Sequence, residues 1–179
     1  MALYFVRHGE STNNLEGLFT GRMDPALTKK GEQQARQTAE EIKALGEIYN
    51  IVSSPLGRAV KTAEIIAEII GYRKPISVDE RIIEYDLGEL EGTPWRKIPK
   101  EEFARIKGVE SPAEFQRRLI DFLNEYKDKK DNILIVGHGG VYRMIEATRL
   151  GLDPNSFHEV DRPSNASYME LNLSWLDNK

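Results

Sequence analysis

The chain has 179 residues, of which 40% are hydrophobic and 30% charged, and this composition predicts one globular domain with a full core. Its net charge of -4 comes from 25 basic and 29 acidic side chains that are interspersed, which argues against nucleic acid or an anionic membrane as partner. The absence of cysteine excludes disulfides, thiolate metal ligands and a cysteine nucleophile. The apolar start ends at Arg7 and is too short for a signal peptide or membrane anchor, so we expect a soluble, cytoplasmic protein.

Short apolar runs alternate with helical patterns along the whole chain. Strands are predicted over 3–6, 48–53, 76–78, 133–136 and 168–173. Helices are predicted from the N-cap Thr28 to Gly46, from the N-cap Ser54 with Pro55 to Gly71, from the capping box Ser111–Glu114 onwards, and over 141–150. A broken helical stretch opens at Thr93 and is interrupted by Pro99. This alternation predicts an α/β fold with a mainly parallel sheet.

Two of the three histidines follow predicted strands. His8 precedes Gly9 after the first strand, and His138 precedes Gly139 and Gly140 after the strand at 133–136. Ligands of parallel sheets bind beyond the carboxyl ends of the strands, where glycine lets backbone N–H groups approach an anion. We therefore expect the two histidines to lie together at one edge of the sheet. The third, His158, lies in a polar loop and is expected to be solvated.

Two arginines are expected at the same edge. Arg7 precedes His8, and Arg58 lies in the first turn of the helix predicted after Ser54. A cation is unfavourable at a helix N-terminus, so Arg58 either reaches solvent or binds an anion. Guanidinium groups pair bidentately with phosphate oxygens, and imidazole can act as a nucleophile or donor. These residue types together predict a pocket for a phosphoryl group.

An acidic cluster is threaded with glycines between the second and third helices. It consists of Glu84, Asp86, Glu89 and Glu91. One carboxyl group at a phosphate site would serve to protonate the leaving oxygen. The spacing does not distinguish which of them does so, although Glu89 is expected to be solvated.

The same residues belong to a longer, ordered set of motifs. The set comprises Arg7-His8-Gly9-Glu10-Ser11-Thr12 with Asn14, Phe19-Thr20-Gly21, Leu27-Thr28 with Gly31 and Ala35, Ser53-Ser54-Pro55-Leu56 with Arg58, Thr62 and Ala63, Glu84 with Gly88, Glu91 and Gly92, Gly108 with Glu110-Ser111, Gly137-His138-Gly139-Gly140, and Asn165-Ala166-Ser167. In this order, over nearly the whole chain, it resembles the histidine phosphatase superfamily, the phosphoglycerate mutase-like proteins. The resemblance implies a three-layer α/β/α domain over 1–179 with a short cap at about 93–110.

The resemblance also implies roles for individual residues. His8 would be the nucleophile and carry a phosphohistidine, while Arg7, Arg58 and His138 would hold the equatorial phosphoryl oxygens. Glu84 matches the family's proton donor by its place before Gly88 and Glu91-Gly92. The expected substrate-binding residues are Asn14, Ser11, Thr20, Gly21 and Gly139. No metal or cofactor is expected, because two arginines and a histidine supply the positive charge.

The family contains both mutases and phosphatases. Mutases carry a long basic insertion after the acidic-glycine segment, whereas here only residues 93–110 separate Gly92 from Ser111, and Gly139-Gly140 after His138 is similar to the phosphatase branch. We therefore expect a metal-independent phosphomonoesterase for a small phosphate ester, with a cofactor-dependent phosphoglycerate mutase and a catalytically silent phosphate-binding protein as alternatives. Candidate substrates are α-ribazole phosphate, sugar phosphates, fructose-2,6-bisphosphate and phosphoglycerate, and the protein would be a monomer or homodimer.

The cap segment supports two interpretations of its side chains. Its basic residues are Arg96, Lys97, Lys100, Arg105 and Lys107. Its apolar residues are Trp95, Ile98, Phe103 and Ile106, which either form a lid or, as we favour, pack a short helix onto the domain. A surface helix also carries this many charges, so the segment does not select a substrate.

Overall fold

The computed structural model of the chain describes residues 2–96, 98–99 and 106–178. Its strands are β1 (Leu3–Arg7), β2 (Asn50–Ser53), β3 (Ser77–Val78), β4 (Ile133–Gly137) and β5 (Tyr168–Leu171). Its helices are α1 (Thr12–Glu16), α2 (Lys29–Lys43), α3 (Gly57–Ile70), α4 (Pro112–Asn124) and α5 (Gly139–Arg149). Lys97, Lys100, Phe103 and Arg105 of the predicted cap lie outside the described residues.

The strands form one five-stranded sheet in the order β3-β2-β4-β1-β5. All neighbours are parallel except β5, which pairs antiparallel with β1 at one edge. Every residue of β1 and β4 is buried, because these two strands lie inside the sheet and are covered on both faces. The prediction of a mainly parallel α/β sheet is confirmed.

Each face of the sheet packs against its own pair of helices. Phe5 and Ile135 point to one face and join Phe115 of α4 and Met144 of α5 in one apolar cluster. The neighbouring strand residues Val6 and Leu134 point to the other face. There they join Ile42 of α2 and Ile66 of α3 in a second apolar cluster. This alternation follows from the two-residue period of a strand. It produces the three-layer arrangement that the resemblance implied.

Two helix starts differ from their predictions. The helix predicted from the N-cap Ser54 begins instead at Gly57, with Leu56 at the N-cap position and no cap from its own side chain. The carboxylate of Asp24, from a distant loop, accepts the amides of Gly57 (2.7 Å) and Arg58 (3.3 Å) in place of a local cap. The last helix begins at Gly139, two residues before its predicted start, with His138 at the N-cap.

The capping box lies elsewhere than predicted. Ser111 is the N-cap of α4, but its side chain makes no capping hydrogen bond. A capping box is instead formed at α1, a short helix that the sequence analysis did not predict, between Ser11 and Asn14. Asparagine replaces the usual glutamate or glutamine at the third helical position of this box, so the sequence lacks the pattern that predicts a capping box here.

The turn after β1 lies against the start of α2. A β-carbon on Gly9 would overlap the Gly31 backbone, and one on Gly31 would overlap the Glu10 backbone. Only glycine permits this close approach of the two backbones. The contact holds the segment after His8 against the start of α2. No helix within the described ranges is long and apolar enough to cross a membrane.

Candidate active site

The carboxyl ends of the inner strands bring the predicted residues together. Arg7 and Gly137 are register partners at the ends of the parallel strands β1 and β4, so His8 and His138 follow side by side. Their rings lie 5.2 Å apart between centroids. The N-termini of α3 and α5 open at this same edge of the sheet, and Arg58 lies on the first turn of α3.

His8 is held in one orientation by both ring nitrogens. Nδ1 lies 2.7 Å from the carbonyl oxygen of Gly9, and Nε2 lies 3.3 Å from Nε of Arg58. A carbonyl only accepts and a guanidinium only donates, so we assign the proton of neutral His8 to Nδ1. Nε2 then keeps its lone pair. The ring is 3% exposed.

Both histidines are buried among positive charges. Burial lowers the pKa of His8 well below its ordinary value, and the charges of Arg58 and Arg7 lower it further. Burial likewise lowers the pKa of His138, with Arg58 the next cause. Both imidazoles are therefore neutral at pH 7.

His138 is anchored by a serine that was predicted as a helix cap. Its Nε2 lies 2.6 Å from Oγ of Ser54, which also accepts the amide of Leu56 at 3.4 Å. We assign the Ser54 hydroxyl as donor to Nε2, which places the proton of neutral His138 on Nδ1. Nδ1 is buried and has no hydrogen-bond partner among the described residues.

Arg58 lies in a cradle made by the turn at 21–24. Its guanidinium donates to the carbonyls of Gly21 and Met23, and its Nη1 lies 3.5 Å from the Asp24 carboxylate. Gly21 has a φ of 49° and turns the chain against the side chain of Glu91. The only guanidinium nitrogen not held by this turn is Nε, which donates to His8. Arg58 therefore does not reach solvent, as one interpretation allowed, and is 2% exposed.

Arg7 lies next to the start of α5. Its Nη1 donates to the carbonyl of Pro163 at 2.6 Å, while its buried Nε has no partner in the described part of the chain. Burial and the charge of Arg162 lower the pKa of Arg7 to about 10, so it stays charged at pH 7. A β-carbon on Gly139 would lie 3.4 Å from this Nε, and glycine thus leaves the space beside it open.

Glu84 is positioned at the N-terminus of α5. Its Oε2 accepts the amide of Gly140 at 3.0 Å, and its Oε1 accepts that of Tyr85 at 2.8 Å. Both bonds come from backbone, so the orientation of the carboxyl group is coupled to the helix that follows His138.

A half-buried ionic network holds the peptide of Glu84. Arg118 of α4 forms two hydrogen bonds with the Glu110 carboxylate, at 2.8 and 3.0 Å, and its other donors reach the carbonyls of Arg81, Ile83 and Glu84. Arg22 also donates to the Glu84 carbonyl and lies 3.3 Å from Glu110. Glu89, expected to be solvated, is exposed.

The other predicted residues fall into two groups, one near the His8 backbone and one near the turn that cradles Arg58. Oδ1 of Asn14 accepts from the Ser11 amide and from Nδ2 of Asn165, which also donates to the His8 carbonyl. Asn14 is thus linked to the His8 backbone through Asn165, whereas buried Ser11 acts in the α1 capping box. The Thr20 hydroxyl donates to the Leu18 carbonyl at 3.5 Å and is placed in the turn that cradles Arg58. Contacts of these residues with a substrate stay predictions.

The motifs extend well beyond these residues. The family model of the histidine phosphatase superfamily (branch 1) matches residues 3–175. The chain belongs to this superfamily. Within the described residues no group of three or more histidine, aspartate and glutamate side chains is arranged to hold a metal ion.

Members of the histidine phosphatase superfamily with different names resemble the chain. A probable phosphoglycerate mutase GpmB of Erwinia tasmaniensis is 36% identical over 87% of this chain and 78% of its own length. A putative phosphoserine phosphatase 2 of Hydrogenobacter thermophilus is 33% identical over 96% of this chain and 89% of its own. Relatives of similar identity thus carry both mutase and phosphatase names.

Solved structures of phosphatases share the fold. A mycobacterial glucosyl-3-phosphoglycerate phosphatase superposes with a TM-score of 0.81 at 26% identity, covering 96% of this chain and 92% of its own. A phosphoserine phosphatase of Entamoeba histolytica superposes with a TM-score of 0.77 at 27% identity, covering 94% of this chain and 89% of its own. The prediction of a phosphoglycerate mutase-like fold is confirmed.

Sequence reasoning missed several residues that shape this histidine phosphatase site. Asp24, Arg118 and Arg162 were not singled out, and Ser54 was assigned to a helix cap. No local pattern marks an acid that caps a helix 33 residues away. For Arg118 a weak signal existed, because it follows Phe115 by three residues and so lies beside the apolar stripe of α4.

Proposed function

We propose that the protein is a phosphomonoesterase that transfers the phosphoryl group of a small phosphate ester to His8 and then to water. The observation that carries the proposal is a set of buried donors on three residues that neighbour His8. Nε of Arg7 and Nδ1 of His138 are buried without partners in the described chain, and Nε of Arg58 contacts Nε2 itself. Buried donors without acceptors are costly, and they suit a site whose acceptor is the ligand.

In the first step Nε of Arg58 donates to a phosphoryl oxygen instead of to Nε2, the lone pair of Nε2 attacks phosphorus, and the bond from phosphorus to the ester oxygen breaks. Gly9 holds the opposite ring nitrogen as the donor, so the attacking nitrogen needs no deprotonation. Arg7, Arg58 and His138 donate to the equatorial oxygens, over which the transition-state charge is spread. The arginines and the neutral histidine thus provide preorganised, buried donors.

Glu84 would supply the proton that leaves with the alcohol. The same carboxylate then removes a proton from the water that attacks the phosphohistidine, which restores neutral His8 and protonated Glu84 and releases inorganic phosphate. Its bonds to the amides of Tyr85 and Gly140 support this role, because they hold the carboxyl group at the start of the helix that follows His138.

We further propose a single domain over 1–179 with a short cap at about 93–110, and a reaction without metal or cofactor. The short cap favours water over a second hydroxyl as the acceptor, because it leaves the site more open. A phosphoglycerate mutase is the second candidate, favoured by the name of the 36% identical relative. A silent phosphate-binding protein would be expected to lack His8 or Glu84, and both are present.

The proposal is tested by phosphate release without added metal. The substrates are p-nitrophenyl phosphate, α-ribazole phosphate, fructose-2,6-bisphosphate, a sugar phosphate and 3-phosphoglycerate, the last also followed for 2-phosphoglycerate with and without 2,3-bisphosphoglycerate. We expect release that a chelator does not change. Isomerisation without release would identify a mutase, and silence on every compound would favour the binding role.

Two variants and one control test the proposed roles of His8 and Glu84. His8→Ala should abolish turnover and the acid-labile phosphoenzyme, whereas His158→Gln, at the exposed third histidine, should leave both unchanged. Glu84→Gln should lower kcat/KM, which reports the transfer to His8, far more for an alkyl phosphate than for p-nitrophenyl phosphate, whose leaving group needs no proton. Wild-type turnover by His8→Ala, or equal losses in kcat/KM on the two esters for Glu84→Gln, would contradict the mechanism.

A further inference from the structure

One positive charge at the rim of the site has no counterion. Arg162 is exposed and makes no ion pair within 4.0 Å with any residue that the structure describes. Its charge acts on the site nevertheless, since it is the largest cause after burial that lowers the pKa of Arg7. It has the same effect on Arg143, whose pKa falls to about 10. The free protein therefore holds more positive charge here than Glu84 balances.

The side chain of Arg162 crosses the start of α5. A β-carbon on Gly139 would lie 3.0 Å from Cγ and 3.2 Å from Cδ of Arg162, and 3.4 Å from Nε of Arg7. The stem of Arg162 and the Nε of Arg7 thus both reach the space beside this glycine. Glu84, which binds the next amide along α5, marks the position of the leaving alcohol under the proposed function.

The head group of Arg162 lies near an aromatic side chain of the cap. Its guanidinium carbon lies 5.4 Å from the ring centroid of Trp95, at the described end of the cap. A guanidinium that packs its flat face on an aromatic ring keeps its N–H edge available. That edge is the part that binds a carboxylate through two parallel hydrogen bonds.

The loop that carries Arg162 is attached to the catalytic strand end. The carbonyl of the next residue, Pro163, accepts a hydrogen bond from Nη1 of Arg7. The side chain of Asn165 and the amide of Ala166 both donate to the His8 carbonyl. Ala166 has a φ of 58°, a conformation that non-glycine residues rarely adopt and that these bonds maintain. The backbone beside Arg162 is therefore fixed relative to the nucleophile.

We propose that Arg162 binds a carboxylate on the alcohol part of the substrate, so that the preferred substrates are phosphate esters of hydroxy acids. The inference rests on the proposed function, because Glu84 locates the alcohol. A single guanidinium matches the single charge of a carboxylate, whereas a second phosphate dianion would need further cations.

The test compares two esters that differ only in this group. 3-Phosphoglycerate carries a carboxylate where glycerol 3-phosphate carries a hydroxymethyl group, and both are measured as competitive inhibitors of p-nitrophenyl phosphate hydrolysis. The wild type should bind 3-phosphoglycerate at least about 10-fold more tightly. Arg162→Gln should weaken 3-phosphoglycerate by about 10- to 100-fold and glycerol 3-phosphate by less than about 2-fold. Arg162→Lys should fall between, since lysine keeps the charge but not the planar edge.

Arg73→Gln is the matched control, because this exposed arginine follows α3 at the end away from Arg58. Equal binding of the two esters by the wild type, or equal weakening of both by Arg162→Gln, would overturn the inference. Calorimetric titration of His8→Ala and of His8→Ala/Arg162→Gln with the same esters measures the difference without turnover. A wild type that releases no phosphate from any ester would contradict the proposed function alone, while this titration still decides the role of Arg162.

Discussion

The two neutral, buried histidines should make the stability of this protein depend on pH in a narrow range. At pH 8 His8 and His138 are uncharged in both the folded and the unfolded chain. Unfolded histidine has a pKa of about 6.5, whereas burial and the nearby arginines hold the pKa of both folded residues well below that value. As the pH falls below about 6.5, only the unfolded chain takes up protons. The contribution of the two neutral histidines to stability is therefore present above about pH 6.5, the pKa of unfolded histidine, and is lost as the pH falls below it.

The size of the effect follows from linkage. Each histidine that stays neutral when folded lowers the free energy of unfolding by about 1.4 kcal/mol between pH 8 and pH 5.5. The pair therefore costs about 3 kcal/mol, which corresponds to a fall in Tm of roughly 5–10 °C for a chain of this size. Unfolded carboxyl groups titrate near pH 4 and contribute little above pH 5.5.

The assay is urea unfolding at pH 8, 6.5 and 5.5 in a buffer without phosphate, which would bind the native protein. His138→Gln should remove about half of the pH effect. His158→Gln should keep all of it, because His158 is exposed and is not one of the two buried histidines. A wild type equally stable at pH 8 and 5.5, or a full effect retained in His138→Gln, would refute the reasoning.

Three further predictions concern the residues around the histidines. Arg118→Met leaves Glu110 and three carbonyls without their main partner and should lower the free energy of unfolding by about 3–5 kcal/mol in urea; a loss below about 1 kcal/mol would contradict this. Arg58→Lys should lower kcat/KM at least about 100-fold in steady-state assays, with Arg73→Lys as an unaffected control, and near-normal kinetics would exclude its role. Asp24→Ala removes the acceptor of the first two amides of α3 and should cost about 0.5–2 kcal/mol by thermal unfolding; an unchanged Tm would mean that water replaces it.

Much of the layout followed from local patterns. The alternation of apolar runs and helical stripes predicted a mainly parallel sheet, which places the carboxyl ends of its inner strands at one edge. His8 and His138 each follow such a strand, so their proximity could be predicted without knowing the register. Arg58 was expected there because a helix starts beside the end of β2. The roles of these residues stay predictions until the variants are measured.

Other parts of the site depend on contacts that no local pattern contains. Asp24 caps α3 because a loop folds over the helix, and Ser54, freed from capping, binds His138 instead. Arg118 meets Glu110 and the Glu84 peptide only when α4 packs on the sheet. Apolar periodicity reports which side of an element is buried, but it does not report which polar group of another element lies opposite.

The amino-acid sequence by itself determined most of the strands and helices and the edge at which the histidines and arginines gather, since these follow from periodicity and chain direction. Only the tertiary structure decided which nitrogen of His8 carries the proton, what fixes the Glu84 peptide and which charged groups lie near Arg162. Those features are set by distances of a few ångströms between residues far apart in the chain, and hydrogen-bond and electrostatic energies depend on such distances directly.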